Sequence, residues 1–317
     1  MLNFILGGAG VGKSEEIIEK IRICSESGKK CLVIIPDQFS FEYDKKLYKK
    51  LGAVTYNNLT VLSFSRLAKT VFSQFGGNVG SYIGECAKLS LMRTATLRVA
   101  KNDSIRYYGK HYNSGSFTQM ISSAVTELCR SGISPEKLTE KRPLIDGALS
   151  EKTADVTNIY SEYLNLLNER GLKDSVRDIS TAARVAAKND YFSGYEIFID
   201  EFRSFTPDEY ELLDVAIKQC DGMTVALTLE NPSTKCRVFE PVKKTYLHLC
   251  RSAEAHNIRH NDTILDEQHR YLSKDIAFLS RNLFRHNTDT PVTSENIRIL
   301  KSPDPEVECN FVAAEIK

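Results

Sequence analysis

A glycine-rich segment near the start of the chain has the composition and spacing of a phosphate-binding loop. It fits the pattern G-x-x-x-x-G-K-[ST], in which glycines let backbone N–H groups approach a phosphate, the lysine reaches the outer phosphates and the hydroxyl ligates Mg²⁺. The segment consists of Gly7, Gly8, Ala9, Gly10, Val11, Gly12, Lys13 and Ser14. A chance match is expected in on the order of one chain in a hundred. The motif therefore predicts a site for ATP with Mg²⁺.

Two adjacent acids follow an apolar run far along the chain. Asp200 and Glu201 come directly after Ile197-Phe198-Ile199. A phosphate-binding loop needs a carboxylate at the end of a neighbouring strand to hold the hydrated Mg²⁺. We predict that Asp200 and Ser14 hold this metal, and that Glu201 orients or deprotonates the attacking water. The alternative interpretation is that the two acids merely begin a surface loop.

The residues around both motifs alternate between short apolar runs and helical patterns. Buried strands are predicted at residues 1–6, 31–35, 59–62, 195–199 and 223–229, and the first helices at 13–27 and 39–51. Thr206 as N-cap, Pro207 in the first turn and Glu209 in the capping-box position predict another helix start. Strands that alternate with helices predict an α/β fold with a parallel sheet and right-handed crossovers.

Strand patterns are missing between about residues 80 and 190. Helical patterns occupy residues 85–101, 117–131, 149–170 and 175–188, with a turn at Ser134-Pro135-Glu136. The α/β sheet is therefore expected to carry an inserted all-helical subdomain. Further helices are predicted at 241–256 and 271–284, then a polar linker at 286–295, a strand at 296–300 and a helix start near Pro305. Because a strand and one helix cannot form a core, we expect the last domain to be truncated.

Composition excludes several function classes. The 317 residues include 42 Lys and Arg and 41 Asp and Glu, so the net charge does not indicate a nucleic-acid-binding protein. No apolar run of about 18 residues predicts a membrane span, and the N-terminus resembles no leader, so we expect a cytoplasmic protein. The eight Cys include no C-x-x-C motif and are predicted to be buried free thiols. The six His show no spacing typical of metal ligands.

One stretch interleaves basic and aromatic residues. It could follow a phosphate backbone while its rings stack on bases, but a solvated helix face is the more common role of such a stretch. Its members are Lys88, Arg93, Arg98, Lys101, Arg106 and Lys110, with Tyr107, Tyr108 and Tyr112.

Several segments, taken in their order along the chain, resemble the sequences of a known family. These segments are FILGGAGVGKS, LVIIPDQFSFEYDKKL, LTVLSFSRLAKTVFSQFGG, IFIDEFRSFTPDEYELL, VALTL and VFEPVKKTYLHLCRSAEAHNI. Together they resemble the N-terminal part of AddB, the B subunit of the bacterial ATP-dependent helicase/deoxyribonuclease that processes double-strand DNA breaks. The first segment is generic to P-loop proteins, whereas PDQFSFE, SFSRLA and FTPDE in series are more specific.

The resemblance implies a superfamily 1 helicase fold. Residues 1–79 and 190–290 would form a RecA-like P-loop NTPase domain 1A, residues 80–189 a helical domain 1B, and residues 291–317 a linker and the start of a truncated domain 2A. The family's nuclease domain and its 4Fe-4S cluster would lie in a C-terminal part that this chain lacks. The implied partners are an AddA-like helicase/nuclease subunit, in a heterodimer, and single- and double-stranded DNA.

Family contacts with single-stranded DNA, made while scanning for the hotspot sequence Chi, map onto four positions of this chain. They are Gln38, Phe64, Arg66 and Phe205. Bases would stack on the two rings while the guanidinium binds phosphate or a base edge, although core packing is the default expectation for Phe64. Where relatives can carry a large aromatic after SFSRLA, this chain has Lys69, so its sequence preference is expected to differ.

Two departures from the family's motors bear on activity. The VALTL run is followed by Glu230-Asn231-Pro232 instead of a glutamine that senses the γ-phosphate, and the arginines of a second RecA-like domain would lie beyond Lys317. An arginine finger contributes about 10³ to 10⁵ in rate, so slow hydrolysis of bound ATP is expected. Two other interpretations stay open: a stand-alone P-loop phosphotransferase acting on a small molecule, and a DNA-reading scaffold with a relic P-loop.

Overall fold

The structure is a computed structural model that describes residues 1–77, 80–109, 111–283 and 293–316. Within these residues the main sheet has six parallel strands in the order β3-β2-β6-β7-β1-β8, and a separate short parallel pair joins β4 to β5. The strands are β1 (Leu2–Gly7), β2 (Lys30–Ile34), β3 (Leu59–Leu62), β4 (Ser81–Tyr82), β5 (Leu172–Lys173), β6 (Tyr195–Ile199), β7 (Gly222–Leu227) and β8 (His260–Leu265).

Helices connect the strands and cover the sheet. In the described residues they are α1 (Lys13–Glu26), α2 (Ser40–Tyr56), α3 (Phe64–Phe75), α4 (Glu85–Lys101), α5 (Gly115–Arg130), α6 (Pro135–Lys141), α7 (Gly147–Glu169), α8 (Asp178–Lys188), α9 (Pro207–Gln219), α10 (Glu240–Ala255), α11 (Lys274–Asn282) and α12 (Pro305–Ile316). The predicted α/β architecture with a parallel sheet is confirmed.

Both faces of the sheet are buried. Alternate residues of β1 point to opposite sides: Phe4 joins the core beneath α3, α8, α9 and α10, whereas Ile5 joins the core beneath α1 and α2. Strands buried on both faces form continuous apolar runs, which is why β1, β2, β6 and β7 were predictable from the sequence. The capping box of Thr206 and Glu209 at the start of α9 is also confirmed.

Helices α4 to α7 enclose a third core, centred on Met92, Ile121 and Tyr163. The prediction that this region is all-helical is wrong in one detail, because the two-residue strands β4 and β5 pair within it. These strands are too short to leave a periodic pattern in the sequence. Helix α8 packs its buried Ala182 and Ala186 into the sheet core instead.

The end of the chain differs from the predictions. Strand β8 pairs with β1 at the sheet edge but was not predicted, because its sequence HNDTIL is polar and half-exposed. The strand predicted at 296–300 is irregular; Asn296 instead donates its side-chain amide to Asp275. Helix α12 begins at Pro305, close to the predicted start. Residues 284–292, most of the predicted linker, lie outside the described residues, as does the end of the helix predicted at 271–284.

Other predicted boundaries need smaller corrections. The turn predicted at residues 134–136 is the start of α6, with Ser134 as its N-cap. The helix predicted to end before Gly52 continues after a kink at that residue, where φ is 75°. Cys31, Cys129 and Cys250 are buried thiols, whereas Cys86 and Cys309 are exposed. Among the described helices, none combines the length and apolar character needed to cross a bilayer.

Candidate nucleotide-binding site

The glycine-rich loop connects the carboxyl end of β1 to the first turn of α1. Gly10 and Gly12 have φ values of 83° and 87°, in the left-handed region that disfavours side chains. A β-carbon at Gly10 would also lie 2.5 Å from Gln268 Oε1. Both the backbone conformation and the close neighbour therefore require glycine at this position.

Lys13 begins α1 and folds back over the loop. Its Nζ donates a hydrogen bond of 2.6 Å to the Gly8 carbonyl. Burial lowers the pKa of the Lys13 ammonium; the Asp200 and Glu201 carboxylates oppose this shift, and the Arg270 guanidinium adds to it. The lysine is thus close to both predicted acids and to a second cation.

The acids follow β6 at the same edge of the sheet. Asp200 is buried, and its Oδ1 accepts a 2.8 Å hydrogen bond from the Glu201 backbone N–H. Glu201 has a φ of 66°, a left-handed conformation that costs a non-glycine residue about 1–3 kcal/mol. Burial and the Asp200 charge raise the pKa of the Glu201 carboxyl, while Lys13, Lys46 and the Ser14 hydroxyl oppose the rise.

Tyr43 reaches Asp200 from α2. Its hydroxyl donates a 2.9 Å hydrogen bond to Asp200 Oδ2. Burial, followed by the charge of Asp200 and this hydrogen bond, raises the pKa of the Tyr43 phenol, so the hydroxyl stays protonated and acts as a donor. Lys46, one helical turn further along, forms an ion pair of 3.1 Å with Glu15.

The loop and the acids line one cavity of about 810 Å³. Its walls come from the loop, α1, α2, the segments after β6, β7 and β8, and the start of α10. The lining residues are Ala9, Gly10, Gly12, Lys13, Ser14, Glu15, Lys46, Asp200, Glu201, Phe202, Arg203, Ala226, Thr228, Val238, Phe239, Pro241, Val242, His269 and Arg270. The structure thus brings together both groups of residues predicted to bind ATP and Mg²⁺.

The segment after β8 is part of this site and was missed in the sequence. Gln268 Nε2 donates to the Ala9 carbonyl at 2.9 Å, and the His269 backbone N–H donates to the Gly10 carbonyl at 3.0 Å. Arg270 follows on the cavity wall. No sequence signal pointed to these residues because the strand that delivers them was not predicted.

The four predicted DNA contacts separate into two pairs. Phe64 and Phe205 are 3% and 7% exposed, and their rings pack edge to face against each other with centroids 5.9 Å apart. Neither ring presents a free face to a base in this conformation, so the default expectation of core packing holds for Phe64. Gln38 and Arg66 are exposed.

Gln38 and Arg66 lie in segments that one carboxylate holds together. Strands β2 and β3 are neighbours, and Asp37, just after β2, accepts hydrogen bonds from Ser63 and Ser65, just after β3. Two rings that sequence reasoning did not consider, Phe39 and Phe41, are 41% and 78% exposed beside Gln38. The two aromatic residues that follow Gln38 in the sequence were the signal that could have identified them.

Two of the cations in the basic stretch of the helical region are paired with acids. Lys88 is buried and forms a 2.8 Å ion pair with Asp174, and Arg98 pairs with Glu162 and Glu169. Tyr108 is buried in the helical core. These contacts favour a structural role for Lys88, Arg98 and Tyr108; Lys110 lies outside the described residues.

Comparison with known proteins places this chain in a family. A family model described as ADDB, N-terminal, matches residues 4–280. The chain belongs to the ADDB N-terminal family. The resemblance seen in PDQFSFE, SFSRLA and FTPDE is therefore confirmed.

Curated relatives are each named as the B subunit of an ATP-dependent helicase/deoxyribonuclease. The chain is 28% identical to the protein of Clostridium novyi over 99% of its own length, 29% identical to that of Caldanaerobacter subterraneus over 99%, and 30% identical to that of Clostridium acetobutylicum over 89%. It spans 28%, 28% and 25% of these relatives, respectively, or about a quarter of their length.

Proposed function

We propose that this chain acts in the cytoplasm as the ATP-binding, DNA-contacting part of the B subunit of an ATP-dependent helicase/deoxyribonuclease. The observation that carries the proposal is the shared cavity in which Lys13 and Ser14 of the glycine-rich loop meet Asp200 and Glu201. Such a loop after a strand, with acids from another strand of the same sheet, is the arrangement of RecA-like P-loop NTPases.

The residues of the cavity fit a nucleotide with its Mg²⁺. Gly10 and Gly12 carry no β-carbon at the two left-handed positions of the loop, and Lys13 and Arg270 supply positive charge for phosphates. Mg²⁺ is usually held by one or two carboxylates together with substrate phosphates and water, which matches Asp200 and the Ser14 hydroxyl. When bound, the metal would neutralise charge that develops on the phosphates.

Glu201 is the proposed base. It lines the cavity beside Asp200 and Lys13, and its raised pKa gives the carboxylate more affinity for a proton than an exposed glutamate has. The turnover of bound ATP by this chain alone is proposed to be slow, because Glu230, Asn231 and Pro232 follow the VALTL run where helicase motors carry a glutamine that senses the γ-phosphate. The nuclease and its 4Fe-4S cluster are proposed for the remainder of such a subunit.

Nucleotide binding is tested with a fluorescent ATP analogue in the presence of Mg²⁺. Lys13→Ala is expected to weaken binding at least tenfold, whereas Lys30→Ala is expected to leave it unchanged. Lys30 is an exposed lysine at the start of β2, so it lies at the amino ends of the strands, whereas the cavity lies at their carboxyl ends. Equal affinities of both variants and the wild type would remove the nucleotide proposal. A thermal-shift response to sugars or nucleosides would favour the phosphotransferase alternative.

Single-stranded DNA is proposed to cross the carboxyl edge of β2 and β3. The exposed Gln38 and Arg66 lie there, held by Asp37, and the exposed rings of Phe39 and Phe41 replace the buried Phe64 and Phe205 as stacking candidates. An aromatic contact of this kind contributes about 1–3 kcal/mol per base.

DNA contact is tested by oligonucleotide binding across a salt series. Arg66→Ala should weaken binding and reduce the slope of log K against log salt by about 0.7, the value for one phosphate contact on a single strand. Arg259→Ala is the matched control, since Arg259 is exposed just before β8 at the opposite sheet edge. Identical salt slopes for the wild type and Arg66→Ala would contradict the proposed path. Co-purification with an AddA-like subunit would test the proposed heterodimer.

A further inference from the structure

Tyr43 and Asp200 form a buried pair at the wall of the nucleotide cavity. The two residues are 6% and 4% exposed, and the phenol O–H donates to Asp200 Oδ2 at 2.9 Å. Tyr43 itself lies behind the lining residues. Its hydroxyl therefore acts on the cavity through the carboxylate.

The remaining contacts of Asp200 leave little freedom to its carboxylate. Oδ1 accepts the Glu201 N–H at 2.8 Å, and the Asp200 backbone N–H donates to the Ile34 carbonyl of β2 at 3.3 Å. One donor thus fixes each carboxylate oxygen, while a further lone pair on each oxygen stays available for a cation or its water. Removing the Tyr43 hydroxyl would free one oxygen to rotate.

Tyrosine–aspartate hydrogen bonds also occur elsewhere in the chain, for example Tyr163 with Asp174 and Tyr246 with Asp262. Those carboxylates do not line the nucleotide cavity. Tyr43 differs because its acceptor faces the same space as Lys13 and Ser14. Lys46, on the same face of α2, lines this space as well.

We infer that Tyr43 is a positioning residue that orients the Asp200 carboxylate for the divalent cation accompanying a bound nucleotide. This inference rests on the proposed nucleotide-binding function. Hydrogen-bond partners behind a metal ligand fix its orientation, and their loss typically lowers metal affinity by about 10- to 100-fold. Nucleotide affinity without the cation does not depend on the carboxylate's orientation in this way.

The experiment measures binding of a fluorescent ATP analogue in EDTA and in a Mg²⁺ titration. Tyr43→Phe is compared with Tyr48→Phe, which removes an exposed hydroxyl from the same helix, and with Asp200→Asn. Tyr43→Phe is expected to raise the Mg²⁺ concentration at which nucleotide binding is half-maximally enhanced by about tenfold or more. Its affinity for the nucleotide in EDTA should be unchanged. Tyr48→Phe should match the wild type in both media.

Thermal unfolding separates positioning from stability. A purely structural tyrosine would lower the melting temperature of Tyr43→Phe and leave its Mg²⁺ requirement at the wild-type value, and that result would overturn the inference. If Tyr43→Phe does not fold, Tyr43→Met is the second variant, because its smaller, flexible apolar side chain also lacks the hydroxyl, and the same Mg²⁺ shift is expected. In the double variant Tyr43→Phe/Asp200→Asn the two effects should not add, because Tyr43 acts through Asp200.

The outcomes also distinguish the inference from the proposed function. A wild-type chain that binds no nucleotide in either medium would refute both. A wild-type Mg²⁺ requirement that Asp200→Asn changes but Tyr43→Phe does not would refute only the role of Tyr43.

Discussion

Alanine substitutions at two glycines of the same loop, Gly10 and Gly8, should differ sharply in their effect on stability. Gly10 has a φ of 83°, and an added β-carbon would lie 2.5 Å from Gln268 Oε1 and 2.7 Å from Arg270 Cβ. Gly8 has no heavy atom within 4 Å of such a carbon. The first change strains the backbone and displaces a neighbouring segment; the second does neither.

The size of the Gly10→Ala effect follows from these contacts. A left-handed conformation costs a residue with a β-carbon about 1–2 kcal/mol. Displacing the segment after β8 also threatens two hydrogen bonds, from Gln268 to the Ala9 carbonyl and from His269 to the Gly10 carbonyl. Each contributes about 0.5–1.5 kcal/mol. We therefore expect a loss of about 2–5 kcal/mol in the free energy of unfolding, and a change within about 0.5 kcal/mol for Gly8→Ala.

Urea denaturation followed by fluorescence or circular dichroism measures both differences. The fluorescent nucleotide titration adds a second readout, because Arg270 belongs to the displaced segment and also lines the cavity. Gly10→Ala should therefore weaken nucleotide binding as well as folding. If Gly10→Ala were as stable as Gly8→Ala, the close packing of the segment after β8 against the loop would be refuted.

Three further predictions concern the supporting structure. Lys88→Met leaves the buried Asp174 without its cation and should cost about 3–5 kcal/mol in urea unfolding, whereas Lys101→Met, on the exposed end of the same helix, should be nearly neutral. Burial, with the charge of a neighbouring glutamate, raises the pKa of Asp208 to about 6 from 3.8. The folded state therefore holds this proton more tightly than the unfolded state, and the stability of the wild type falls as pH rises from 3.8 to about 6. The stability of Asp208→Asn relative to the wild type should increase over this pH range and stay constant above it. A difference that does not change with pH would contradict the shift. Thr206→Ala removes the N-cap of α9 and should cost about 1 kcal/mol, while Thr206→Ser retains the cap and most of the stability.

The secondary structure that could be predicted is the part that residues adjacent in the sequence determine. Strands β1, β2, β6 and β7 lie inside the sheet and are largely buried on both faces, so each appears as an apolar run bounded by turns. Strand β8 lies at the sheet edge and carries His260, Asn261 and Asp262, so its sequence reads as a loop. It forms a strand because β1 offers a free edge, which is a property of the assembled sheet.

The candidate site divides in the same way. Lys13 and Ser14 were identifiable because the loop chemistry fixes their spacing, and Asp200 because it ends an apolar strand. Tyr43 and Arg270 contact the site across elements, and their own neighbours in sequence give no such indication. Phe64 is a different case, since the family resemblance assigns it a DNA contact while its ring is buried in the core, the default expectation for this residue.

The parallel sheet explains why distant segments meet at one cavity. In parallel strands every carboxyl end lies at the same edge, so the loop after β1, the acids after β6 and the segment after β8 converge whatever their separation in sequence. Bringing the segments together does not by itself orient their side chains. Their orientation comes from hydrogen bonds between segments, from Tyr43 to Asp200 and from Gln268 to the Ala9 carbonyl. A polar edge strand with no recognisable pattern is therefore as necessary to this site as the motif that reveals it.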